Sequence, residues 1–158
     1  MLDLGNDTII RASDFITLDA GNPDAAIVWS TGETSQTILA SSNHTYWVAA
    51  NLEDCVAYDT IFIDEFPPCV LAVPTAFSPN ADGANDVLFV RGQNFDEFEL
   101  LIFNRWGELV FTTNSSNVGW DGTFKGQPQA VDAYNYILKG KCVDGTITTS
   151  KGTITLLR

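Results

Sequence analysis

The fold is decided at residues 97–111, EFELLIFNRWGELVF, where two apolar runs flank a short polar turn. Successive side chains of a β-strand point to opposite faces, so Phe98, Leu100 and Ile102 of the first run share one face. The Trp-Gly-Glu segment at 106–108 leads into the second run at 109–111. The stretch therefore predicts two adjacent strands joined by a turn.

The same kind of pattern fills the rest of the chain. We find no window with the i, i+3, i+4, i+7 apolar spacing of an amphipathic helix. Short runs rich in β-branched and aromatic residues alternate with turn clusters such as 21–24, 30–33 and 51–54, which is typical of β-sandwiches. The predicted strands are residues 15–19, 26–29, 36–39, 45–50, 57–64, 70–73, 87–91, 97–104, 109–113, 133–141 and 146–157.

A domain boundary is predicted at Pro67 and Pro68, because proline cannot donate to a β-ladder and ends the strand before it. The charge changes at the same place. Residues 1–68 hold 11 acidic residues and one basic residue, for a net charge of −10, whereas residues 69–158 hold 9 and 7, for −2. We expect one domain at residues 1–66 and another at 67–158.

The composition also restricts the function. The net charge of −12 argues against nucleic-acid binding, which needs basic surface. No apolar run approaches the roughly 20 residues of a membrane-spanning helix, and the sequence near Met1 does not resemble a signal peptide. If the protein is exported, we expect its targeting segment to lie outside this sequence.

Candidate catalytic groups are sparse. The single histidine, His44, falls in a predicted surface turn rather than a supported cleft, and most acidic residues neighbour Gly, Asn or Pro, as turn residues do. A pair of carboxylates for glycoside hydrolysis is the weaker interpretation. The tryptophans are expected mainly in the core, with a sugar-binding platform as the alternative. We predict that the protein is not an enzyme.

Residues 78–86 contain Asn80, Asp82 and Asp86, whose oxygens would suit Ca²⁺. The EF-hand pattern is absent, since Arg91 stands where its bidentate Glu would be. The favoured interpretation is a turn in which these side chains accept hydrogen bonds from nearby backbone N–H groups. The three cysteines match no zinc or redox spacing and allow at most one internal disulfide, with three buried thiols as the alternative.

Five linked motifs stand in the second part of the chain. They are residues 73–86 (VPTAFSPNADGAND), 101–111 (LIFNRWGELVF), 120–123 (WDGT) with Gly126, 133–136 (AYNY) and 152–158 (GTITLLR). In order and spacing they resemble the gliding-motility-associated C-terminal domain, the type B sorting domain of the type IX secretion system. Two positions depart from the family, which usually has Gly at Ala81 and at Ala133.

The first part of the chain contains residues 4–8 (LGNDT), 18–21 (LDAG), 29–34 (WSTGET) and 45–48 (TYWV). With these segments it resembles the immunoglobulin-like repeats that precede such domains in bacterial surface adhesins. The fold class implied is all-β, with two antiparallel Ig-like β-sandwich domains in tandem. Such repeats often pair a cysteine near the start with one near Cys55, but Arg11 stands in its place here. The resemblance therefore leaves Cys55 free and implies a disulfide between Cys69 and Cys142, which export permits.

The resemblance implies a secretion signal rather than a reaction. The expected partners are the type IX secretion translocon and an outer-membrane β-barrel of the PorP/SprF type, and the expected location is the cell surface or the medium. The alternative function is a calcium-dependent adhesion or carbohydrate-binding module. The predicted partner-binding residues are Asn104, Arg105, Trp106, Gly107, Lys151, Gly152, Leu156, Leu157 and Arg158.

Overall fold

The computed structural model describes residues 2–21, 23–53 and 55–158, so the turns predicted at 21–24 and 51–54 lie partly outside the described residues, at Asn22 and Asp54. Two compact units divide the chain, Met1–Phe66 and Pro67–Arg158. All regular structure in the described residues is β-strand, and both units are Ig-like β-sandwiches. None of the described residues forms a helix long and apolar enough to cross a membrane.

Unit 1 contains a four-stranded and a two-stranded sheet. The larger sheet has the order β1-β6-β5-β3 and the smaller one pairs β2 with β4. β1 runs parallel to β6, and the other pairs are antiparallel. The strands are β1 (Thr8–Ile10), β2 (Ile16–Asp19), β3 (Ala26–Trp29), β4 (Thr37–Ala40), β5 (His44–Leu52) and β6 (Cys55–Glu65).

Strands β2 to β5 and the second half of β6 turn every second side chain into one core. Trp29 and Val48 are almost completely buried there, and the Trp29 indole N–H donates to the Ser35 carbonyl at 2.8 Å. The outward side chains are mixed in character, and several of them are large and apolar. The buried members of the core are Leu18, Ala20, Ile27, Trp29, Ile38, Ala40, Tyr46, Val48, Ala50, Ile61 and Ile63.

Unit 2 is built around a five-stranded sheet of order β11-β10-β14-β15-β8, with two short two-stranded sheets, β7 with β9 and β12 with β13. β8 is parallel to β15, and the long central pairs are antiparallel. Its strands are β7 (Val70–Ala72), β8 (Ala76–Phe77), β9 (Arg91–Gln93), β10 (Phe95–Phe103), β11 (Leu109–Thr113), β12 (Thr123–Phe124), β13 (Gln127–Pro128), β14 (Asp132–Cys142) and β15 (Ile147–Leu156).

The strand predicted at residues 87–91 is wrong. Leu88 and Val90 are buried as the alternation predicts, but the segment has no strand alongside it and pairs only through Leu88 with Trp120. The regular pairing begins later, at Arg91. Here the alternating apolar residues indicate burial in the core, and they do not indicate hydrogen bonding to a neighbouring strand. That core contains Val73, Phe77, Leu88, Val90, Phe98, Leu100, Ile102, Val110, Trp120, Tyr134, Leu138, Ile154 and Leu156.

Candidate functional site

Residues 104–108 join β10 to β11, and we call them the tryptophan turn. The Asn104 side chain holds this turn: its Oδ1 accepts hydrogen bonds from the backbone N–H groups of Trp106 and Glu108, each at 3.0 Å. The Asn104 N–H donates to the Glu108 carbonyl, and the Gly107 N–H donates to the Asn104 carbonyl, both at 3.0 Å. Gly107 has a φ of +80°, which favours glycine. The backbone of the turn is therefore fixed.

This fixed turn displays Trp106, which is 86% exposed. Both neighbouring charges are held by ion pairs. Arg105 pairs with Asp132 at the start of β14, and Glu108 lies 3.7 Å from the ammonium group of Lys125. A tryptophan this exposed adds little to the stability of the domain, whereas aromatic residues of this kind often dominate the energy of protein interfaces.

A shallow groove of about 560 Å³ lies beside the tryptophan turn. Asn104, Arg105 and Gly107 line one part of it, and Lys151 and Gly152 line another. Residues from both predicted partner-binding segments, 104–107 and 151–158, therefore line one surface. The remaining lining comes from the neighbouring strands, at Phe103, Asn135, Tyr136, Ile137 and Thr153.

Gly152 and Tyr136 both line the groove and pair across β14 and β15. A Cβ atom at Gly152 would lie 2.8 Å from Cε1 of the tyrosine ring, which packs against the core of unit 2. The ring therefore occupies the space that any larger residue at 152 would fill.

The end of β15 requires a correction. Leu156 is completely buried in the core of unit 2, so it does not belong to a contacting surface of the folded domain. Leu157 and Arg158 are exposed, and the Leu157 N–H donates to the Phe77 carbonyl at 2.9 Å. The candidate surface therefore keeps Leu157 and Arg158 and loses Leu156.

Two basic side chains line the groove, Arg105 and Lys151. Arg105 is paired with Asp132 at the start of β14. Burial raises the pKa of the nearby Tyr134 phenol, while the positive charges of Arg105 and Arg158 act in the opposite direction.

Residues 78–86, which we call the Asx loop, form a closed network of local hydrogen bonds. Asp86 Oδ1 accepts from the N–H groups of Asn80 and Ala81 at 2.9 and 2.7 Å, and its Oδ2 accepts from Gly83 N–H at 2.8 Å. Asp82 Oδ1 accepts from the Ala84 N–H at 2.8 Å, which is the main reason why the pKa of Asp82 is lowered. The side-chain oxygens that were predicted as possible Ca²⁺ ligands therefore accept hydrogen bonds from the backbone of the loop.

Histidine, cysteine and acidic residues elsewhere do not suggest a metal centre either. Within residues 2–21, 23–53 and 55–158, no three or more of these side chains are grouped to hold a metal ion. His44 is exposed at the start of β5, with its Nδ1 2.8 Å from the Ser42 carbonyl oxygen.

The Asx loop packs against the turn of residues 120–123. Trp120 is buried, its indole N–H donates to the Thr123 carbonyl at 2.8 Å, and its ring centroid lies 4.9 Å from that of Tyr134. Gly122 has a φ of +77°, and a Cβ atom there would lie 3.0 Å from side-chain atoms of both Pro79 and Leu156. The family motifs at 73–86, 120–123 and 152–158 therefore meet in one core.

A family model decides the identity of this part of the chain. The CHU_C type IX secretion signal domain matches residues 71–156, which is more than half of the sequence. The chain belongs to this family. Its signal domain therefore serves protein export by the type IX secretion machinery, and a sorting signal is not a catalytic kind of domain.

Solved structures resemble the chain more distantly, and no curated protein matches it. The immunoglobulin pair IG1+IG2 of DIP-gamma is 13% identical, with a TM-score of 0.49 over 96% of this chain and 92% of that one. Dimeric latent PorU from Porphyromonas gingivalis is 13% identical, with a TM-score of 0.40 over 96% of this chain and 19% of that one. A Ca²⁺-stabilised, ice-binding adhesin of an Antarctic bacterium is 12% identical, with a TM-score of 0.38 over 99% and 50%.

The signal domain contains the disulfide that the family resemblance implied. Cys69 and Cys142 are bonded, with their Cα atoms 5.7 Å apart, which confirms the prediction. The bond ties the segment before β7 to the last residue of β14. Cys55 is free and exposed in unit 1, also as predicted.

Two features of the signal domain's surface were missed from sequence. The ion pair between Arg105 and Asp132 was missed because the two residues are 27 positions apart and the sequence between them carries no signal of their proximity. The groove was missed because it depends on strand register, which pairs Tyr136 with Gly152. A Gly opposite an aromatic residue on a neighbouring strand is a signal for such a site, once the register is known.

Proposed function

We propose that residues 67–158 act as a folded sorting tag that the type IX translocon reads through the tryptophan turn and the adjoining groove. A single observation supports the proposal most strongly. The tag holds Trp106 exposed on a backbone fixed by Asn104, next to a groove rimmed by Arg105 and Lys151. Interfaces draw most of their binding energy from such aromatic and arginine residues, and rigidity lowers the entropic cost of binding.

We also propose that an outer-membrane β-barrel of the PorP/SprF type binds the tag and that the protein ends at the cell surface. The folded state is part of this signal. Asn104 and Lys151 are far apart in sequence but line one groove, so an unfolded segment would not present them together. A partner with acidic groups facing Arg105 and Lys151 would complement these basic side chains of the groove.

A reporter fusion tests the proposal. A periplasmic reporter is fused before residues 1–158 and expressed in a bacterium with a type IX system, with and without the barrel partner. Truncation of residues 152–158 would remove core residues Ile154 and Leu156 and unfold the tag, so surface substitutions are preferable. Trp106→Ala is expected to lower export strongly, because truncating a hot-spot residue costs about 2 kcal/mol or more of binding energy.

The matched control is Trp47→Ala, which removes an exposed tryptophan from unit 1. It is expected to leave export unchanged. Without the barrel partner, wild-type fusions should be lost from the cell surface. Normal export of a folded Trp106→Ala, Arg105→Ala, Lys151→Ala triple variant would overturn the assigned surface.

A further inference from the structure

Unit 1 has a second surface with unusual character, on the outward side of its larger sheet. Trp47 of β5 and Tyr58 and Phe62 of β6 are 41%, 70% and 39% exposed there. Their neighbours Val48 and Ile61 point the other way, into the core. We call this outward side the aromatic face. Three large aromatic side chains on the exposed face of this sheet are not explained by the packing of unit 1.

The register places these rings in a staggered row. Tyr58 and Phe62 are four residues apart on β6, a distance of about 13 Å, and β5 runs about 5 Å away beside them. Trp47 lies opposite Thr60, midway between the two. The three side chains therefore extend along the strands over a length greater than one sugar ring, on a gently twisted surface.

Small residues lie opposite each ring. Tyr58 pairs with Ala49, Phe62 pairs with Thr45, and Trp47 pairs with Thr60. A small cross-strand neighbour leaves space beside each ring. The row therefore alternates apolar ring surfaces with the hydroxyl groups of Thr45 and Thr60.

The charges around the aromatic face restrict its ligand. Asp7 and Asp64 line a shallow pocket of about 360 Å³ with Ile9 and Phe62, at the β1 end of the face. The whole of residues 1–68 carries a net charge of −10. Anionic ligands such as uronic-acid polymers or nucleic acids are repelled by this field. Carboxylates at the end of the row accept hydrogen bonds from hydroxyl groups.

We propose that the aromatic face binds a neutral, extended oligosaccharide of β-linked glucose-type units. Such sugars have apolar C–H faces that fit against aromatic rings and equatorial hydroxyl groups that reach Thr45, Thr60, Asp7 and Asp64. A second copy of the chain fits poorly, because a two-fold dimer through this face would bring two strongly acidic units and two sets of these carboxylates together. The site lies wholly in unit 1 and is independent of the sorting function.

Isothermal titration calorimetry on the full 158-residue chain tests the proposal. Cellohexaose is expected to bind saturably, because it covers the whole row of rings. Glucose is expected to bind far more weakly, since it contacts one ring, and polygalacturonate is expected not to bind. Absence of saturable cellohexaose binding would overturn the proposal, as would equal binding of polygalacturonate.

Substitutions locate the site. Trp47→Ala and Tyr58→Ala are each expected to raise the Kd for cellohexaose about threefold to tenfold, whereas Trp47→Phe, which keeps a ring, should retain most of the affinity. Leu39→Ala is the matched control in unit 1, because Leu39 is as exposed as Tyr58, 70%, but lies on β4 of the other sheet. Trp106→Ala controls for an exposed tryptophan in unit 2.

Two results would contradict this location. One is unchanged cellohexaose binding in folded Trp47→Ala and Tyr58→Ala variants. The other is a dimer in analytical ultracentrifugation that Trp47→Ala converts to monomer, with no sugar binding, which would assign the face to self-association. Retention of export by Trp47→Ala alongside loss of sugar binding would separate this site from the sorting tag.

Discussion

Gly122 offers the sharpest test of how the family motifs are joined in the core. Gly122→Ala places a residue with a Cβ at a φ of +77°, which costs about 1–2 kcal/mol. The new Cβ would also lie 3.0 Å from Pro79 Cγ and 3.0 Å from Leu156 Cδ1. Pro79 is a rigid ring and Leu156 is fully buried, so overpacking adds about 1–3 kcal/mol.

Gly126 supplies the matched control. Its φ is +75°, almost the same, but a Cβ there would have no atom within 4 Å. Gly126→Ala should therefore cost only the conformational part, about 1–2 kcal/mol. We expect Gly122→Ala to destabilise unit 2 by about 2–5 kcal/mol, with the difference between the two variants due to crowding alone.

Urea unfolding measures both values. The indole N–H resonance of Trp120, which is buried beside this turn, reports the unfolding of unit 2 without interference from unit 1. The variants should differ in midpoint and share the same urea dependence. Equal destabilisation by Gly122→Ala and Gly126→Ala would refute the packing of the Asx loop against residues 120–123.

Four further outcomes are expected. Replacing Cys69 and Cys142 by serine should lower the free energy of unfolding of unit 2 by roughly 4 kcal/mol, because the disulfide closes a loop between residues 73 positions apart and so restricts the unfolded chain. An unchanged midpoint in urea unfolding would contradict this stabilising role. Ala81→Gly should stabilise the Asx loop by about 1 kcal/mol, because Ala81 has a φ of +63° that glycine adopts at lower cost, and a lower melting temperature would contradict this. Addition of Ca²⁺ should leave the melting temperature unchanged, since the Asp86 oxygens already accept three backbone N–H groups, and a rise would instead support the calcium site at Asn80, Asp82 and Asp86. The carboxyl of Asp82 should titrate below its ordinary pKa of 3.8 in an NMR pH series. Because the folded state favours the charged form, its stabilising effect is present at neutral pH and is lost as the pH falls through that lowered pKa. A midpoint at or above 3.8 would contradict the hydrogen bond from Ala84.

The sequence predicts the long central strands well, because each carries several alternating apolar residues. β10, β11, β14 and β15 lie within a few residues of their predicted bounds. The short strands β1, β8, β12 and β13 were missed, since two or three residues give no measurable period and depend on a partner strand. Residues 87–91 show the opposite error. Their alternating apolar residues predicted a strand, but the segment is buried without a neighbouring strand to pair with.

Local turns were predicted from the sequence, whereas contacts that depend on strand register were not. The tryptophan turn was found from its Asn, Trp and Gly residues, and the structure adds the reason, which is the side chain of Asn104. Leu156 was misassigned because its place near the chain end suggested exposure, although it alternates in phase with buried Ile154. The expectation of core tryptophans is correct for Trp29 and Trp120 and wrong for Trp47, which is 41% exposed on a strand; the exposure of Trp106 fits its prediction as a partner-binding turn residue.

The central claim is that residues 67–158 carry the export signal. Its most direct test compares two reporters in one type IX-competent bacterium, one fused to residues 1–158 and one to residues 1–66, by protease accessibility at the surface of intact cells together with reporter in the medium. We predict that only the fusion containing residues 67–158 leaves the periplasm. Equal export of both fusions, or retention of the longer one in the periplasm, would contradict the account.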